Sequence, residues 1–388
     1  MGFSRNPVMV FVSNLPRPSA LDDLYPPDWH DRVRAARLDP GYLASPPFDI
    51  MGRATGHLVL LLRSGQEVMA DIASARRKVL EITEYAAEQL DGDVIGLGSL
   101  TTPITGGGHK VVEHIERHDW KLRATHGDSG SVAAILECVE LAALREDDTI
   151  AVVGAYGIIG TALSRMLARQ GRRLMLVGPR LKRLQELARD IDADCGRPPE
   201  LVATDIAAVA SADCVITVTS HPSSLLTPAH VKPGAVVIDP AVPANVSPDP
   251  AWRDPARGNV VITNAAQLRM PGVAASGSMW GTLDEPDGRS TTYACLAETM
   301  LCAVHQDTQH HVGEVDLGFI DIARERARGA GFEHAIPRMF DADLREPLAV
   351  RARQRSTPGR FAPRIQARVT TTRRGRPSIV ASAPPSAS

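Results

Sequence analysis

Residues Thr149–Gly160, TIAVVGAYGIIG, decide the fold of the chain. The β-branched run TIAVV reads as a buried parallel strand. Gly154, Gly157 and Gly160 follow as Gly-x-x-Gly-x-x-Gly, a variant of the commoner dinucleotide fingerprint, and let the backbone turn tightly while the next helix packs close. TALSRMLARQG then carries Ala162, Leu163, Met166 and Leu167 at helical spacing, Gly171 stands where that helix ends, and residues 172–177 read as a second strand. This order places the first N–H groups of the helix, at the positive end of its dipole, beneath a pyrophosphate. The expected cofactor contacts are Gly154, Ala155, Tyr156, Gly157, Ile158, Ile159 and Gly160. The alternative is a βαβ unit without a nucleotide, although three glycines at one turn exceed what packing requires.

The tip of the second strand reads LVGPRLKRLQ. An acidic residue usually takes the ribose 2′-hydroxyl of NAD at this place, and none is present. Arg180, with Lys182 and Arg183 close by, suits a 2′-phosphate instead, so the expected cofactor is NADPH and Arg180 its expected contact. The plainer alternative is a solvated basic helix start.

Short β-rich runs at 201–203, 214–218, 236–239 and 260–263 complete a Rossmann-type doubly wound sheet over residues 146–290. Ahead of it, residues 1–145 form an N-terminal α/β substrate domain. Its first strand lies at 8–12 within otherwise proline-rich irregular sequence, a second at 57–62, one long helix at 67–90 and a third strand at 94–100. Residues 291–348 supply C-terminal helices, one over 291–304 and one over 315–330. Residues 349–388 read as a disordered basic tail. The fold class is therefore α/β with two domains.

With 388 residues a large core is available, and a formal net charge of −2 provides no field for nucleic acid or an anionic membrane. No apolar run approaches the roughly 20 residues of a membrane span, and the start lacks the pattern of a signal peptide, so a cytoplasmic protein is expected. The five cysteines, 138, 195, 214, 295 and 302, show no close pairing and read as free thiols. His114 and His118 stand four apart but in HIERH rather than HExxH, with no third ligand indicated, so no metal is expected. TTPITGGGHKV reads as a ligand-approaching or mobile loop. Thr125–Ser131, THGDSGS, precedes a helix and gathers donors at its start. His221, in TSHPSS, and the segment Asp239–Asn245, DPAVPAN, lie at strand ends facing the same cleft.

The residues also carry a resemblance. GLGSLT at 96–101, THGDSGS, VVGAYGIIG, DPAVPAN and, most specifically, YACLAE at Tyr293–Glu298 resemble the aldehyde-forming long-chain acyl-[acyl-carrier-protein] reductases over about residues 57–335. Tyr156 replaces the family's usual Thr, and Gly130 stands where a His is common. The resemblance implies that Cys295 is the acylated cysteine. It further implies an acyl carrier protein or acyl-CoA as donor, an aldehyde product with an aldehyde-consuming enzyme as a further partner, and hydride from NADPH.

The nucleophile has to be a thiolate, and a helix N-terminus lowers a thiol pKa. Glu298, one turn beyond Cys295, opposes that charge unless protonated or paired, and is a candidate proton relay. Two other classes compete: a nicotinamide enzyme of a small hydroxy or keto acid, in which Cys295 is dispensable, and a non-catalytic NADPH-bound scaffold.

Overall fold

The computed structural model describes residues 5–15, 41–221, 223–242, 244–254, 260–271, 282–284 and 290–334, with the residue pairs 338–339, 342–343, 370–371 and 377–378. The expected basic tail, apart from the last two of those pairs, lies outside the described residues.

The first sheet contains β1 (Val8–Leu15), β2 (Tyr42–Ala44), β3 (Phe48–Ile50), β4 (Ala54–Ser64), β5 (Val94–Leu97) and β6 (Arg123–Thr125). Its order is β2-β4-β1-β5-β6, with β3 also on β4; β1, β4, β5 and β6 run parallel, and β2 and β3 pair antiparallel to β4. Thus β2 and β3 fall in sequence read as irregular: each has only three residues, too few to show a period of two.

Side chains alternate across this sheet, so it buries both faces. Val10, Val12, Val59 and Leu61 pack against Val79 and Ile82 of α2 (Ile72–Glu88), behind α1 (Gly65–Ala70). The expected single helix over 67–90 is thus two. Asp71 breaks it at φ −140° and ψ 74°, and its carboxylate caps α2 by accepting from the Ser74 N–H. On the same face lie α3 (Thr101–Ile104) and α4 (His109–Arg117), while α5 (Asp128–Leu141) follows β6.

The second sheet has the order β12-β11-β10-β7-β8-β9, all parallel. Its strands are β7 (Thr149–Val153), β8 (Arg173–Val177), β9 (Leu201–Ala203), β10 (Cys214–Thr217), β11 (Val236–Ile238) and β12 (Val261–Thr263), with α6 (Ile158–Arg169) and α7 (Leu181–Cys195) between the first three. Chain order reverses between β7 and β10, and a ligand crevice opens at such a switch point.

A small antiparallel sheet, β13 (Gln267–Arg269), β14 (Thr282–Asp284), β15 (Ser290–Tyr293) and β16 (Glu333–His334), leads into α8 (Ala294–Val304) and flanks α9 (Leu317–Gly329). The helix expected from residue 291 begins at Ala294, because Thr291–Tyr293 pair with β13. Leu296, Met300 and Leu301 of α8 and Phe319 of α9 pack on Met9, Phe11 and Val94, the face of the first sheet opposite α2. The C-terminal helices therefore complete the N-terminal layer. Helix α5 is buried along most of its length between α8 and α9 on one side and α6 on the other.

Candidate active site

One cleft of about 1250 Å³ runs between the two sheets. Its nucleotide side is built by the turn after β7. Gly154 has φ +88°, and a Cβ there would meet the Val218 carbonyl at 2.7 Å; a Cβ on Gly160 would sit 2.2 Å from the Gly154 carbonyl. Both contacts are with backbone, so only glycine fits. Gly157 caps α6 without a side-chain bond, so the first N–H groups of the helix are free to face an anion. These features fit a dinucleotide pyrophosphate.

Gly154, Tyr156, Gly157, Ile158 and Ile159 line the cleft. Ala155 and Gly160 are instead buried under the turn. Arg180 is exposed and does not line the cleft. Because α7 starts at Leu181, it is Arg183 that lines the cleft, with its guanidinium 5.3 Å from the Tyr156 ring centroid.

Opposite stands Cys295, the second residue of α8, half-buried and in the cleft wall. The segment after β6 is seated on it. Gly127 has φ +70°, and a Cβ there would lie 2.4 Å from Cys295 Cα, so the chain at Gly127 passes directly over Cys295. The thiol is pushed up to about 12, first by burial and then by the nearby Asp128 and Glu298. Backbone N–H groups of Cys295 and Leu296 act in the opposite direction. The expected lowering by the helix N-terminus therefore loses to burial, and the resting form is the thiol.

Glu298 does not line this cleft. Its Oε1 accepts from the Thr125 hydroxyl at 2.6 Å and its Oε2 from the Gly130 N–H at 2.6 Å. It ties the start of α5 to α8, and burial raises its pKa.

Sequence reasoning missed two residues. His126 is buried; its Nδ1 accepts from the Asp128 N–H at 3.1 Å, which leaves the proton on Nε2 to be donated to the Gly313 carbonyl at 3.3 Å. Burial lowers its pKa, in keeping with a neutral ring. Asp128 lines the cleft, and burial raises its carboxyl to about 7. Both stand in THGDSGS; the signal available was the charged residue inside an otherwise small, polar helix start.

Other candidates hold structure. Asp239 accepts from the Thr217 hydroxyl at 2.6 Å and the Val246 N–H at 2.8 Å, which fixes the DPAVPAN segment. From that segment the Val242 carbonyl accepts from the Ser99 hydroxyl at 3.1 Å and links the two halves of the molecule. His221 lines the cleft but is exposed, and its Nδ1 accepts from the Ser223 N–H at 3.3 Å. Of the triple glycine, Gly106 and Gly107 line the cleft and Gly108 caps α4. His114 Nε2 meets Glu84 at 2.9 Å, and His118 Nδ1 donates to the His114 carbonyl at 2.9 Å. Cys302, Asp307 and His311 bring one ligand atom each within 4.8 Å of one another, but Arg326 already pairs with Asp307 at 2.7 Å.

Fold and cleft together define a two-domain α/β protein with a Rossmann-type dinucleotide domain facing a cysteine-bearing helix. Residues 140–256 match the family described as Shikimate / quinate 5-dehydrogenase, a span that holds the glycine turn but not Cys295. No curated protein matches the chain. Among solved structures, the quinone oxidoreductase of Thermus thermophilus, determined also with NADPH, is similar at 19% identity and a TM-score of 0.27 over 34% of this chain and 42% of that one. The nucleotide-binding domain of glutamyl-tRNA reductase from Thermoplasma volcanium is similar at 16% identity and a TM-score of 0.25 over 34% of this chain and 84% of that one. The chain thus spans under half the length of the quinone oxidoreductase, and likenesses of this size decide nothing about substrate. Among the described residues, no helix is long and apolar enough to cross a membrane.

Proposed function

We propose that the protein is an NADPH-dependent oxidoreductase that converts an acyl thioester, carried by an acyl carrier protein or coenzyme A, to an aldehyde through a Cys295 acyl-enzyme. The observation that carries this reading is that Cys295 and the Gly154–Ile159 turn line one cleft. The Gly154–Ile159 turn and the α6 N-terminus would hold the phosphates of a dinucleotide in the same cleft that Cys295 lines.

Cys295 attacks the thioester carbonyl and the carrier thiol leaves, so one thioester replaces another and the carbonyl stays activated. NADPH, when bound, supplies hydride to that carbonyl carbon. The resulting hemithioacetal on Cys295 breaks its C–S bond, releasing aldehyde and regenerating the thiol. At the far end of the cleft Phe11, Leu58, Leu60 and Leu100 offer an apolar surface, which suits an aliphatic acyl group. Arg183, which lines the cleft beside Tyr156, would hold the cofactor's 2′-phosphate. An aldehyde-consuming enzyme is the corresponding downstream partner.

The test is incubation of the full chain with acyl carrier protein or coenzyme A thioesters and NADPH, comparing wild type with Cys295→Ala by intact mass and aldehyde release. Acylation and aldehyde from wild type alone support the reading; identical behaviour of the two proteins refutes it. The match of residues 140–256 to Shikimate / quinate 5-dehydrogenase favours one second reading, oxidation or reduction of a small hydroxy or keto acid. In that case Cys295→Ala retains turnover of such acids.

A further inference from the structure

Exchange of a thioester onto a thiol requires a group that takes the thiol proton as the C–S bond forms and returns it to the departing sulfur. Three ionisable side chains come into consideration: Asp128 and Glu298, whose charges act on the Cys295 thiol, and His126, 3.7 Å from the Asp128 carboxyl. Two are committed. Both ring nitrogens of His126 are engaged, Nδ1 by the Asp128 N–H and Nε2 by the Gly313 carbonyl. Both oxygens of Glu298 are engaged by Thr125 and Gly130, outside the cleft wall.

The third is Asp128, the first residue of α5, next to the glycine that rests on Cys295. Its carboxyl is in the cleft wall and accepts no hydrogen bond from a described residue; His126 Nδ1 stands 3.7 Å away, beyond hydrogen-bond reach. The residue is only 8% exposed, and what its carboxyl meets is the cleft. The backbone around it is fixed at both ends, by the Asp128 N–H bond to His126 and by the Glu298 bonds to Thr125 and Gly130.

We propose that the Asp128 carboxyl is the proton-transfer group of this cleft, taking the Cys295 thiol proton as the sulfur bonds to the thioester carbonyl and giving it to the leaving thiol. This rests on the thioester reading above. In the balanced step, the Cys295 S–H bond and the acyl-carrier C–S bond break, while the acyl-Cys295 C–S bond and the carrier S–H bond form; no electron changes hands, and Asp128 ends as it began, a carboxylate. The groups that share electrostatics with Asp128 are Cys295 and Glu298 from α8, while His126 of its own segment, 3.7 Å away, is the group on which His311 from the stretch after α8 and His109 from α4 act. Cys295 is a far weaker acid than Asp128, so transfer accompanies bond formation and a free thiolate is not formed first.

The experiment is rapid-quench intact-mass measurement of acylation by a medium-chain acyl-CoA across the neutral pH range, on wild type, Asp128→Asn and Cys295→Ala. Wild-type acylation is expected to rise to a plateau with a midpoint near pH 7. Asp128→Asn is expected to bind NADPH as wild type does, to acylate about 100-fold more slowly and to lose the midpoint. Acylation of Asp128→Asn at the wild-type rate with the same midpoint overturns the proposal while leaving the thioester reading in place. Absence of wild-type acylation overturns both. Should Asp128→Asn fail to fold, the wild-type profile decides: a rate that climbs tenfold per pH unit through and beyond neutrality, as free-thiolate attack requires, refutes a role for Asp128.

Discussion

Replacing Gly127 by alanine tests whether the segment over Cys295 sets the position of the sulfur. At φ +70° the new Cβ would lie 2.4 Å from both Cα and Cβ of Cys295 and 2.6 Å from its carbonyl oxygen. Ordinary contact begins near 3.4 Å, so α5 and α8 have to part by about 1 Å (3.4 less 2.4). The left-handed backbone adds a cost of roughly 1–2 kcal/mol in stability. A displacement of about 1 Å at a nucleophile lowers the rate by about 100-fold. The Gly154 turn is on another element and is not touched. Gly127→Ala is therefore expected to melt a few degrees lower, to bind NADPH as wild type does, by fluorescence titration, and to acylate about 100-fold more slowly by intact mass. Wild-type acylation by a folded Gly127→Ala protein would falsify the claim that this segment positions Cys295.

In Gly160→Ala the added carbon would lie 2.2 Å from the Gly154 carbonyl and 2.9 Å from Ala155 backbone, so the turn is forced open; titration should show NADPH binding lost, and retained binding would remove the turn from the cofactor site. For Arg183→Ala the expectation is a loss of about 10- to 100-fold in NADPH affinity with little change for NADH, the size of one charge-assisted hydrogen bond; equal losses for both cofactors would assign Arg183 a packing role. Asp128 makes stability depend on pH. Its folded pKa is raised from 3.8 to about 7, so the native state holds a proton that the unfolded chain releases, and stability present below about pH 4 is lost as pH rises through 7. That change is on the order of 4 kcal/mol. Urea unfolding of Asp128→Asn should therefore gain on wild type between about pH 4 and pH 7 as two curves that diverge, and parallel curves across that range would contradict the burial of the carboxyl.

The nucleotide half was readable because its determinants are local. Three glycines, a β-branched strand and a helical stripe sit within about one βαβ unit, and the expected strands at 201–203, 214–218, 236–239 and 260–263 match β9–β12 to within a residue or so. Where one residue of helix phase mattered, the sequence reading slipped. Arg180 and Arg183 belong to one basic cluster, and only the start of α7 at Leu181 decides which faces the cleft. The break at Asp71 hid inside an unbroken apolar stripe, although an aspartate before Ile72 is a cap by type.

The chemistry around Cys295 depended on contacts far apart in the chain. Helical spacing put Glu298 on the face of Cys295, yet its carboxylate is turned away by partners 173 and 168 residues distant, Thr125 and Gly130. Those same bonds tie the start of α5, which carries Asp128, to the helix of Cys295. Two carboxyls thus flank one thiol with opposite circumstances: Glu298 is buried with two donors and outside the cleft wall, Asp128 is buried without donors and inside it. A carboxyl that accepts a short bond on each oxygen is held in one orientation by the fold, whereas one left without donors keeps both oxygens open to a passing proton. Glu298, by holding α5 to α8, is one of the ties that fix the segment carrying Asp128, and the Asp128 N–H bond to His126 is another. Glu298→Gln should accordingly slow acylation while leaving its pH midpoint where Asp128 sets it, and a midpoint that disappears with Glu298 would transfer the proton-handling role to that residue.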